Sequence, residues 1–429
     1  MKHPLLCLGL AALGLAWLGQ VEAAPAAAHA AAPAAAPAAA HAAAPAAAPA
    51  AAHAAAPAAA HAAAHAANVL IPSPPQLSAK AWVLMDATTG QVIAEEDSHE
   101  HLPPASLTKL MTVYVATRDI QAGQLKADDK VTVSEHAWRT EGSRMFLDPR
   151  TPVSVHDLLQ GIVIDSGNDA SVALAEHIAG SNESFASLMN ATAQRLGLHD
   201  SHFMNPTGLP DPEHFSSPYD MALLARAIIQ DESAYYELYA RKYFTWNGIR
   251  QPNRNLLLWR DHTVDGLKTG HTEAAGYCMV TSALRDGRRL ITAVFGSNSI
   301  NNRAADTQKL LTYGYRFFDN LTLDKAGVAL GTPAVWEGER ASLPVGVTQD
   351  VVLTRPKGQQ PPERRLVLDE PLVAPIAQGA VVGHLELVDD ERILQTRPLV
   401  ALEAVEQGGW WSRWPQHLYR LVLHWFGRI

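Results

Sequence analysis

Cysteine is almost absent from this chain of 429 residues, with two occurrences that lie far apart. Cys7 belongs to the first apolar segment, and Cys278 lies in the apolar run from Tyr277 to Val280. If the first segment is removed, Cys278 has no partner in the chain, so an intrachain disulfide is excluded. We expect Cys278 to be a buried free thiol.

Positive charge is also scarce relative to negative charge. The 34 Lys and Arg residues are outnumbered by 43 Asp and Glu residues, which gives a formal net charge of -9. A chain of this kind has no broad basic surface for a polyanion, so we expect no nucleic-acid partner.

Long apolar runs are missing except at the start of the chain. Lys2 and His3 precede an apolar run from Leu5 to Leu18, and a small-residue cleavage site follows at residues 21–23. The pattern predicts a signal peptide at residues 1–23 and therefore export. An uncleaved membrane-spanning signal is the alternative, although the run is short for a bilayer.

A low-complexity spacer is predicted at residues 24–68. Between Pro25 and Ala67 the sequence repeats three alanines followed by Pro or His. Frequent proline excludes a continuous helix and alanine builds no core, so we expect a flexible or partly extended segment. A metal site made of the histidines is the alternative, but the spacer has no scaffold to fix them. We expect no metal site and no cofactor.

The next part of the chain carries the patterns of both strands and helices. A hairpin is predicted from Ala81 to Glu95, and three late strands between Thr263 and Phe295. Helices are predicted at Val155–Ile164, Ala170–Ile178, Glu183–Leu196, Tyr219–Gln230 and Arg303–Phe318. We therefore expect a mixed α/β domain at residues 75–325, with helices packed on a sheet.

Two further segments are predicted after this domain. Short apolar runs separated by Gly and Pro predict a small all-β, β-sandwich-like domain at residues 326–405. At residues 409–429 tryptophans and basic residues fall on opposite helical faces, and no acidic residue follows Glu406. This predicts an amphipathic membrane-anchor helix that lies on the surface of a bilayer. Packing on the β domain or on a partner helix is the alternative.

Candidate chemistry begins at the segment from Ser106 to Lys109. The following apolar residues recur at helical spacing, so Ser106 begins a predicted helix and Lys109 lies one turn later on the same face. A desolvated lysine can accept a serine proton, and free N–H groups at a helix start stabilise an oxyanion. We expect Lys268 to supply positive charge that lowers the pKa of Lys109. A capping serine with an exposed lysine is the alternative, because S-x-x-K alone is a weak motif.

Two more motifs follow in order. Ser166-Gly167-Asn168 is predicted at a helix start, and Lys268-Thr269-Gly270 at the end of a strand. Each alone is typical of a turn. Together with S-x-x-K they match the motif set of β-lactamases and penicillin-binding proteins.

The chain resembles the D-alanyl-D-alanine carboxypeptidases of the low-molecular-mass penicillin-binding class, serine peptidase family S11, over nearly all of residues 77–429. The stretches that carry the resemblance are 104–109, 166–170, 247–255 and 264–272. It implies a β-lactamase/transpeptidase-like catalytic domain with an antiparallel sheet and helices. It also implies removal of the terminal D-alanine from peptidoglycan pentapeptides through an acyl-enzyme, covalent inhibition by β-lactams, and a role in cell-wall maturation and cell shape. The expected location is the periplasmic face of the inner membrane.

The resemblance assigns roles to individual residues. It makes Ser106 the nucleophile, Lys109 its base and Ser166 part of the proton-transfer network. The substrate-binding residues that it implies are Asn168, Lys268, Thr269, Gly270, His271 and Arg254. The oxyanion hole would use the backbone N–H groups of Ser106 and His271. A surface or structural role for Arg254 is the alternative.

One segment departs from the family, and three other functions stay open. From Arg139 to Met145 the chain is shorter than the loop that often lies beside this active site, which puts deacylation and peptide preference in doubt. The alternative functions are a β-lactamase, a peptidoglycan DD-endopeptidase and a non-catalytic β-lactam sensor. A β-lactamase would require fast deacylation, for which the sequence has no clear hydrolytic glutamate.

Overall fold

A computed structural model describes residues 70–231, 233–369 and 371–411, together with Trp414 and His417. The predicted signal peptide at 1–23, the spacer at 24–68 and most of the predicted helix at 409–429 lie outside the described residues. None of the described helices has the length and hydropathy needed to cross a membrane.

The first and larger part of the described chain combines strands and helices, as predicted. In chain order its strands are β1 (Ala81–Asp86), β2 (Val92–Glu96), β3 (Lys130–Val131), β4 (Val153–Ser154), β5 (Tyr243–Trp246), β6 (Ile249–Pro252), β7 (Val264–Thr272), β8 (Gly276–Arg285) and β9 (Arg288–Ser297). Its helices are α1 (Lys109–Gln121), α2 (Glu135–Arg139), α3 (Val155–Gln160), α4 (Asn168–Ala179), α5 (Asn182–Leu196), α6 (Pro218–Asp231), α7 (Ser233–Tyr236), α8 (Leu257–Arg260) and α9 (Ile300–Phe317).

An antiparallel sheet of order β2-β1-β9-β8-β7 forms the centre of this part. Side chains alternate between its faces with the two-residue period of a strand. Trp82 and Leu84 pack with α8 and α9 in one apolar core, whereas Val83 and Met85 pack with α1 to α6 in a second core. The sheet is therefore covered on both faces, which confirms the predicted antiparallel sheet with helices. Cys278 is fully buried, also as predicted.

Two sequence predictions need correction. The Lys268-Thr269-Gly270 segment does not end a strand, because β7 continues to Thr272 and pairs with β8 along the whole motif. The predicted helix from Val155 to Ile164 is interrupted, because α3 ends at Gln160 and a π turn follows at Gly161–Asp165. The β5–β6 hairpin was not predicted; it packs against this π turn.

The last part of the described chain is all β. Its strands are β10 (Phe318–Asp324), β11 (Val345–Gly346), β12 (Val351–Pro356), β13 (Glu363–Leu368), β14 (Val381–Asp389) and β15 (Arg392–Ala401). They form a pair, β10-β12, and a sheet of order β11-β15-β14-β13. Leu385 and Leu387 of β14 pack with Val351 of β12, so apolar side chains connect the two sheets.

Candidate active site

Ser106 lies in a tight turn whose neighbouring residues are buried. Residues Ala105–Thr108 form a 3-10 turn that leads directly into α1, so Ser106 sits just before the helix. Leu107 and Thr108 are fully buried and hold the turn, while Ser106 itself is only half-buried. Ala105 has a positive φ of 48°, a conformation that non-glycine residues adopt mainly where the surroundings impose it. The hydroxyl of Ser106 is therefore presented on a rigid base.

Lys109 is fully buried and has three oxygen atoms around its amine. Its Nζ lies 3.0 Å from Ser106 Oγ, 2.7 Å from Asn168 Oδ1 and 2.6 Å from the carbonyl oxygen of Thr207. The loop that carries Thr207 can come this close because Gly208 follows. A Cβ at Gly208 would lie 1.8 Å from the Ala105 carbonyl oxygen, and its φ of +81° also favours glycine.

Burial first, and then the nearby positive charge of Arg254, lower the pKa of Lys109 to about 7, whereas Asp169 opposes the shift. The sequence predicted Lys268 as the source of this positive charge, and in the structure the source is Arg254. The pKa of Lys268 is itself lowered, first by burial and then by Lys109, Arg254 and Arg303. The pKa values of both lysines are thus lowered by positively charged neighbours as well as by burial.

The second motif forms the wall opposite Ser106. Ser166 follows the π turn with a positive φ of 61°, and its Oγ accepts a hydrogen bond from Lys268 Nζ at 3.0 Å. Asn168 begins α4 and uses its amide oxygen for Lys109, while its Nδ2 donates to the carbonyl of Glu141. Both side chains are buried, at 2% and 5% exposure. Their orientation is therefore set by the two lysines.

Strand β7 forms the third wall. Lys268 and Thr269 are buried, and a Cβ at Gly270 would lie 3.0 Å from the Pro104 carbonyl oxygen and 3.2 Å from Ser106 N. The strand therefore passes directly beside the Ser106 turn at Gly270. His271 is exposed and packs against Tyr277, with ring centroids 4.1 Å apart and the ring planes tilted by 30°.

Arg254 reaches the site through the loop after α2. Its Nη1 donates to Ser143 Oγ at 2.7 Å, and the carbonyl of Ser143 accepts from the backbone N–H of Asn168. Gln251 Nε2 donates to the carbonyl of Arg144 in the same loop. This is the loop that the sequence marked as shorter than in the family, and it joins the β5–β6 hairpin to the second motif.

Asp169 is a buried residue of the site that the three motifs do not include. It is fully buried, and its carboxylate accepts hydrogen bonds from the backbone N–H groups of Met145, Phe146, Leu147 and Ala170 at 2.8–3.1 Å. These bonds fasten the loop at 143–147 to the start of α4. One indication of this role was present in the sequence, because Asp169 directly follows the Ser166-Gly167-Asn168 motif.

Arg303 is a second residue that sequence reasoning missed. It lies on α9, is 5% exposed, and its Nη1 donates to the carbonyl oxygens of Gly270 and Cys278. Burial lowers its pKa to about 10, and it lies over the ring of Tyr277. The guanidinium therefore adds positive charge directly behind β7.

The structure brings the sequence-predicted residues into one cleft. Hydrogen bonds connect Ser106, Lys109 and Asn168, and a further hydrogen bond connects Ser166 to Lys268. Gly270 joins them by close packing, Thr269 and His271 continue along β7, and Arg254 enters through Ser143. The arrangement places a hydroxyl against a buried amine of lowered pKa, with positive charge around both. Such a site can form an acyl-enzyme with a substrate that carries a carboxylate.

Comparisons with known proteins agree with this geometry. The family model described as D-alanyl-D-alanine carboxypeptidase matches residues 68–299, and the one described as penicillin-binding protein 5, C-terminal domain, matches residues 318–407. The D-alanyl-D-alanine carboxypeptidase DacD of Salmonella typhimurium is 44% identical over 352 residues, which are 80% of this chain and 90% of that protein. DacA of Escherichia coli is 40% identical over 367 residues, 83% of this chain and 91% of that protein.

Solved structures give the same result. Penicillin-binding protein 5 from Haemophilus influenzae has a TM-score of 0.74 and 40% identity, covering 78% of this chain and all of that chain. Penicillin-binding protein D2 from Listeria monocytogenes, solved in an ampicillin-bound form, has a TM-score of 0.53 and 28% identity, covering 57% of this chain and all of that chain. With both domains matched and the three motifs assembled in one cleft, this chain belongs to the D-alanyl-D-alanine carboxypeptidase family, peptidase family S11, with a penicillin-binding protein 5 C-terminal domain.

Proposed function

We propose that Ser106 is the nucleophile of this serine-type D-Ala-D-Ala carboxypeptidase and that Lys109 accepts its proton. The observation that carries the proposal is the 3.0 Å distance between Lys109 Nζ and Ser106 Oγ, at a lysine that is fully buried. With a pKa of about 7, this lysine is uncharged in about half of the molecules at neutral pH. An uncharged amine has a lone pair that can take the hydroxyl proton.

The other two partners of Lys109 determine where that lone pair points. Asn168 Oδ1 and the Thr207 carbonyl oxygen each accept a hydrogen bond from Nζ. Together they use both N–H bonds of an uncharged amine, which leaves the lone pair for Ser106. Asn168 and Thr207 therefore orient the base.

The reaction begins when Ser106 Oγ attacks the carbonyl carbon of the penultimate D-alanine in a peptidoglycan pentapeptide. A tetrahedral intermediate forms, its bond to the terminal D-alanine nitrogen breaks, and that nitrogen leaves with a proton. Ser166, which accepts from Lys268 at 3.0 Å, belongs to the buried polar network that can pass this proton. Water then hydrolyses the acyl-enzyme and restores the Ser106 hydroxyl.

Substrate binding relies on β7 and on the second motif. The backbone N–H groups of Ser106 and His271 form the oxyanion hole, an assignment supported by the close approach of Gly270 to Ser106 N. Lys268, Thr269 and Arg254 bind the terminal carboxylate, and Asn168 binds the substrate amide. The positive charge of Arg254, with that of Arg303, suits a substrate that ends in a free carboxylate.

Two measurements on one set of variants test this assignment. Wild type is expected to release D-alanine from a pentapeptide and to gain one penicilloyl group by intact-protein mass spectrometry. Ser106→Ala should abolish both, whereas Ser187→Ala, which removes an exposed hydroxyl from α5, should change neither. Release of D-alanine by folded Ser106→Ala protein would contradict the proposal.

β-Lactams act on this site as covalent inhibitors because their carbonyl takes the place of the substrate carbonyl at Ser106. The ampicillin-bound form of the similar Listeria protein supports this expectation. The lifetime of the adduct separates a carboxypeptidase from a β-lactamase. We expect the penicilloyl group on Ser106 to persist long after free penicillin is removed, and rapid release with turnover of penicillin would favour the β-lactamase.

We also propose that residues 1–23 export the chain to the periplasm and that residues 409–429 attach it to the inner membrane surface. The support is the exposure of Trp410, Trp411 and Trp414, at 55%, 83% and 62%, beside a basic terminal sequence. His417 Nδ1 lies 2.9 Å from Glu337 Oε1, so the first half of this segment also contacts the β domain.

Truncation tests the attachment. A chain that ends at Gly409 should keep its activity and move to the soluble fraction after cell lysis. Trp138→Ala, which removes an exposed tryptophan elsewhere on the surface, should leave the full chain in the membrane fraction. A truncated chain that still sediments with membranes would refute the anchor.

A further inference from the structure

Arg303 of α9 is a buried cation beside the cleft. It is 5% exposed, and none of the ion pairs between residues that the structure describes includes it. The described groups that act on its charge are Cys278, Tyr277 and Arg254, and none of these is a carboxylate. Burying a cation without a counter-ion costs stability. Such a charge is stabilised when an anion forms close by, as happens during acyl transfer.

The guanidinium of Arg303 donates hydrogen bonds to the carbonyl groups of two neighbouring strands. Its Nη1 lies 3.2 Å from the carbonyl oxygen of Gly270 in β7 and 3.3 Å from that of Cys278 in β8. Gly270 and Cys278 are opposite each other in the β7–β8 ladder. Arg303 therefore connects α9 to both strands at the position of the third motif.

The Gly270 carbonyl belongs to the same peptide group as the N–H of His271. This peptide bond is trans, and in a planar trans peptide the C=O and N–H bonds point in opposite directions. Because the carbonyl is directed to Arg303, the N–H of His271 is directed away from it. β7 is the last strand of the described sheet, and the Ser106 turn lies next to it at Gly270. The N–H of His271 is one of the two donors proposed above for the oxyanion hole.

A second contact connects Arg303 to His271 through Tyr277. The guanidinium carbon of Arg303 lies 5.9 Å from the centre of the Tyr277 ring, and that ring centre lies 4.1 Å from the centre of the His271 ring. His271 and Tyr277 are also opposite each other in the β7–β8 ladder. Arg303 therefore contacts both the peptide group that precedes His271 and the side chain that packs against it.

We propose that Arg303 is a positioning residue of the oxyanion hole, which holds and polarises the peptide group between Gly270 and His271. A charge-assisted hydrogen bond to the carbonyl oxygen draws electron density to that oxygen, which makes the N–H at the other end of the group a stronger donor. This N–H then stabilises the negatively charged oxygen of the tetrahedral intermediate more than the uncharged carbonyl oxygen of the substrate. The inference rests on the acyl transfer proposed for Ser106.

Infrared difference spectroscopy of the penicilloyl-enzyme tests this role, with penicillin that carries carbon-13 at the β-lactam carbonyl. In wild type the ester carbonyl lies in the oxyanion hole, so its stretching band should have a lower wavenumber than in the same adduct after acid denaturation. In full-length Arg303→Met the band should move toward the denatured value, because the hydrogen bond to Gly270 is lost. A band at the wild-type position in folded, acylated Arg303→Met protein would overturn the inference.

The rate of acylation at saturating penicillin is the second readout. Loss of an oxyanion-hole donor slows a reaction by about 10²–10³, and a polarising neighbour changes the strength of a hydrogen bond by roughly 10–30%, so Arg303→Met should be acylated about two- to eightfold more slowly than wild type. An unchanged rate would contradict the proposed polarisation.

Three further variants make the result specific. Arg316→Met removes an exposed arginine from the same helix and should change neither the band nor the rate. Arg303→Lys restores a charged donor, so its band and rate should lie between those of Arg303→Met and wild type. Arg303→Gln has a neutral donor and replaces Arg303→Met if that variant fails to fold; its band should also move toward the denatured value.

The experiment separates this inference from the function on which it rests. Wild-type protein that is not acylated at Ser106 would defeat the proposed function. A wild-type ester band that does not change on denaturation would contradict the oxyanion hole and the inference with it. Acylated wild type with a shifted band, together with folded Arg303 variants that give the wild-type band and rate, would defeat only the role of Arg303.

Discussion

The loop that borders the active site depends on one carboxylate, and Asp169→Asn tests that dependence. Each carboxyl oxygen of Asp169 accepts from two backbone N–H groups: Oδ1 from Met145 and Ala170, and Oδ2 from Phe146 and Leu147. An asparagine keeps one oxygen and places an NH2 group at the other position. Two N–H donors would then face another donor in a fully buried site.

The size of the effect follows from these bonds. A hydrogen bond to a charged group contributes about 1.5–3 kcal/mol, so the loss of two lowers the free energy of unfolding by about 3–6 kcal/mol. For a domain of this size we expect the Tm to fall by at least about 6 °C. The loop also holds Ser143 against Arg254 and Asn168, so acylation by penicillin should slow as well.

Differential scanning calorimetry and stopped-flow acylation give the two readouts. Asp157→Asn is the matched control, because the hydrogen bonds that its carboxylate accepts come from the side chains of Ser154 and Gln160. We expect that variant to stay within about 2 °C of wild type. The reasoning fails if Asp169→Asn behaves like Asp157→Asn in both measurements.

Three further predictions concern other residues of the same site. Because the pKa of Lys109 is lowered to about 7, the rate of wild-type acylation should fall about tenfold for each pH unit below that value. An acylation rate that falls off already below about pH 10 would contradict an uncharged lysine base. Gly208→Ala should slow acylation strongly, because its Cβ would collide with the Ala105 carbonyl oxygen and displace the Ser106 turn; wild-type rates would refute this. Burial raises the pKa of Asp165 to about 7, so the folded protein loses stability as the pH rises from about 4 to 7. Asp165→Asn should therefore unfold at a higher temperature than wild type at pH 8 and at the same temperature near pH 4.

The sequence predicted the parts of this protein that are encoded locally. The helices of the catalytic domain follow apolar spacing, and the strands that flank them follow alternation, so both were found within a few residues. The three motifs were also found, since each is a short run of particular residues in a set order. Their meeting in one cleft is what the structure adds.

The errors came from residues whose role depends on distant partners. Thr269 and Gly270 are typical of turns, but pairing with Met279 and Cys278 of β8 keeps them in β7. For Arg254 the family resemblance predicted a role in the site, but its own sequence surroundings left a surface role open, because its contact with Ser143 spans 111 residues. The sequence around these positions does not indicate their partners, because strand pairing and the contacts of charged side chains are determined by tertiary structure.

The acids and cations of the site are arranged so that Lys109 can act as a base. None of the ion pairs among the described residues includes Lys109, although Asp169 is near enough to raise its pKa. All four bonds of the Asp169 carboxylate go to backbone N–H groups, so it cannot turn toward the amine. If it were free to pair with Lys109, the attraction would grow and the lysine would stay charged at pH 7. The backbone N–H groups of the loop therefore support catalysis, because they hold the Asp169 carboxylate away from Lys109 and let burial lower the pKa of the lysine.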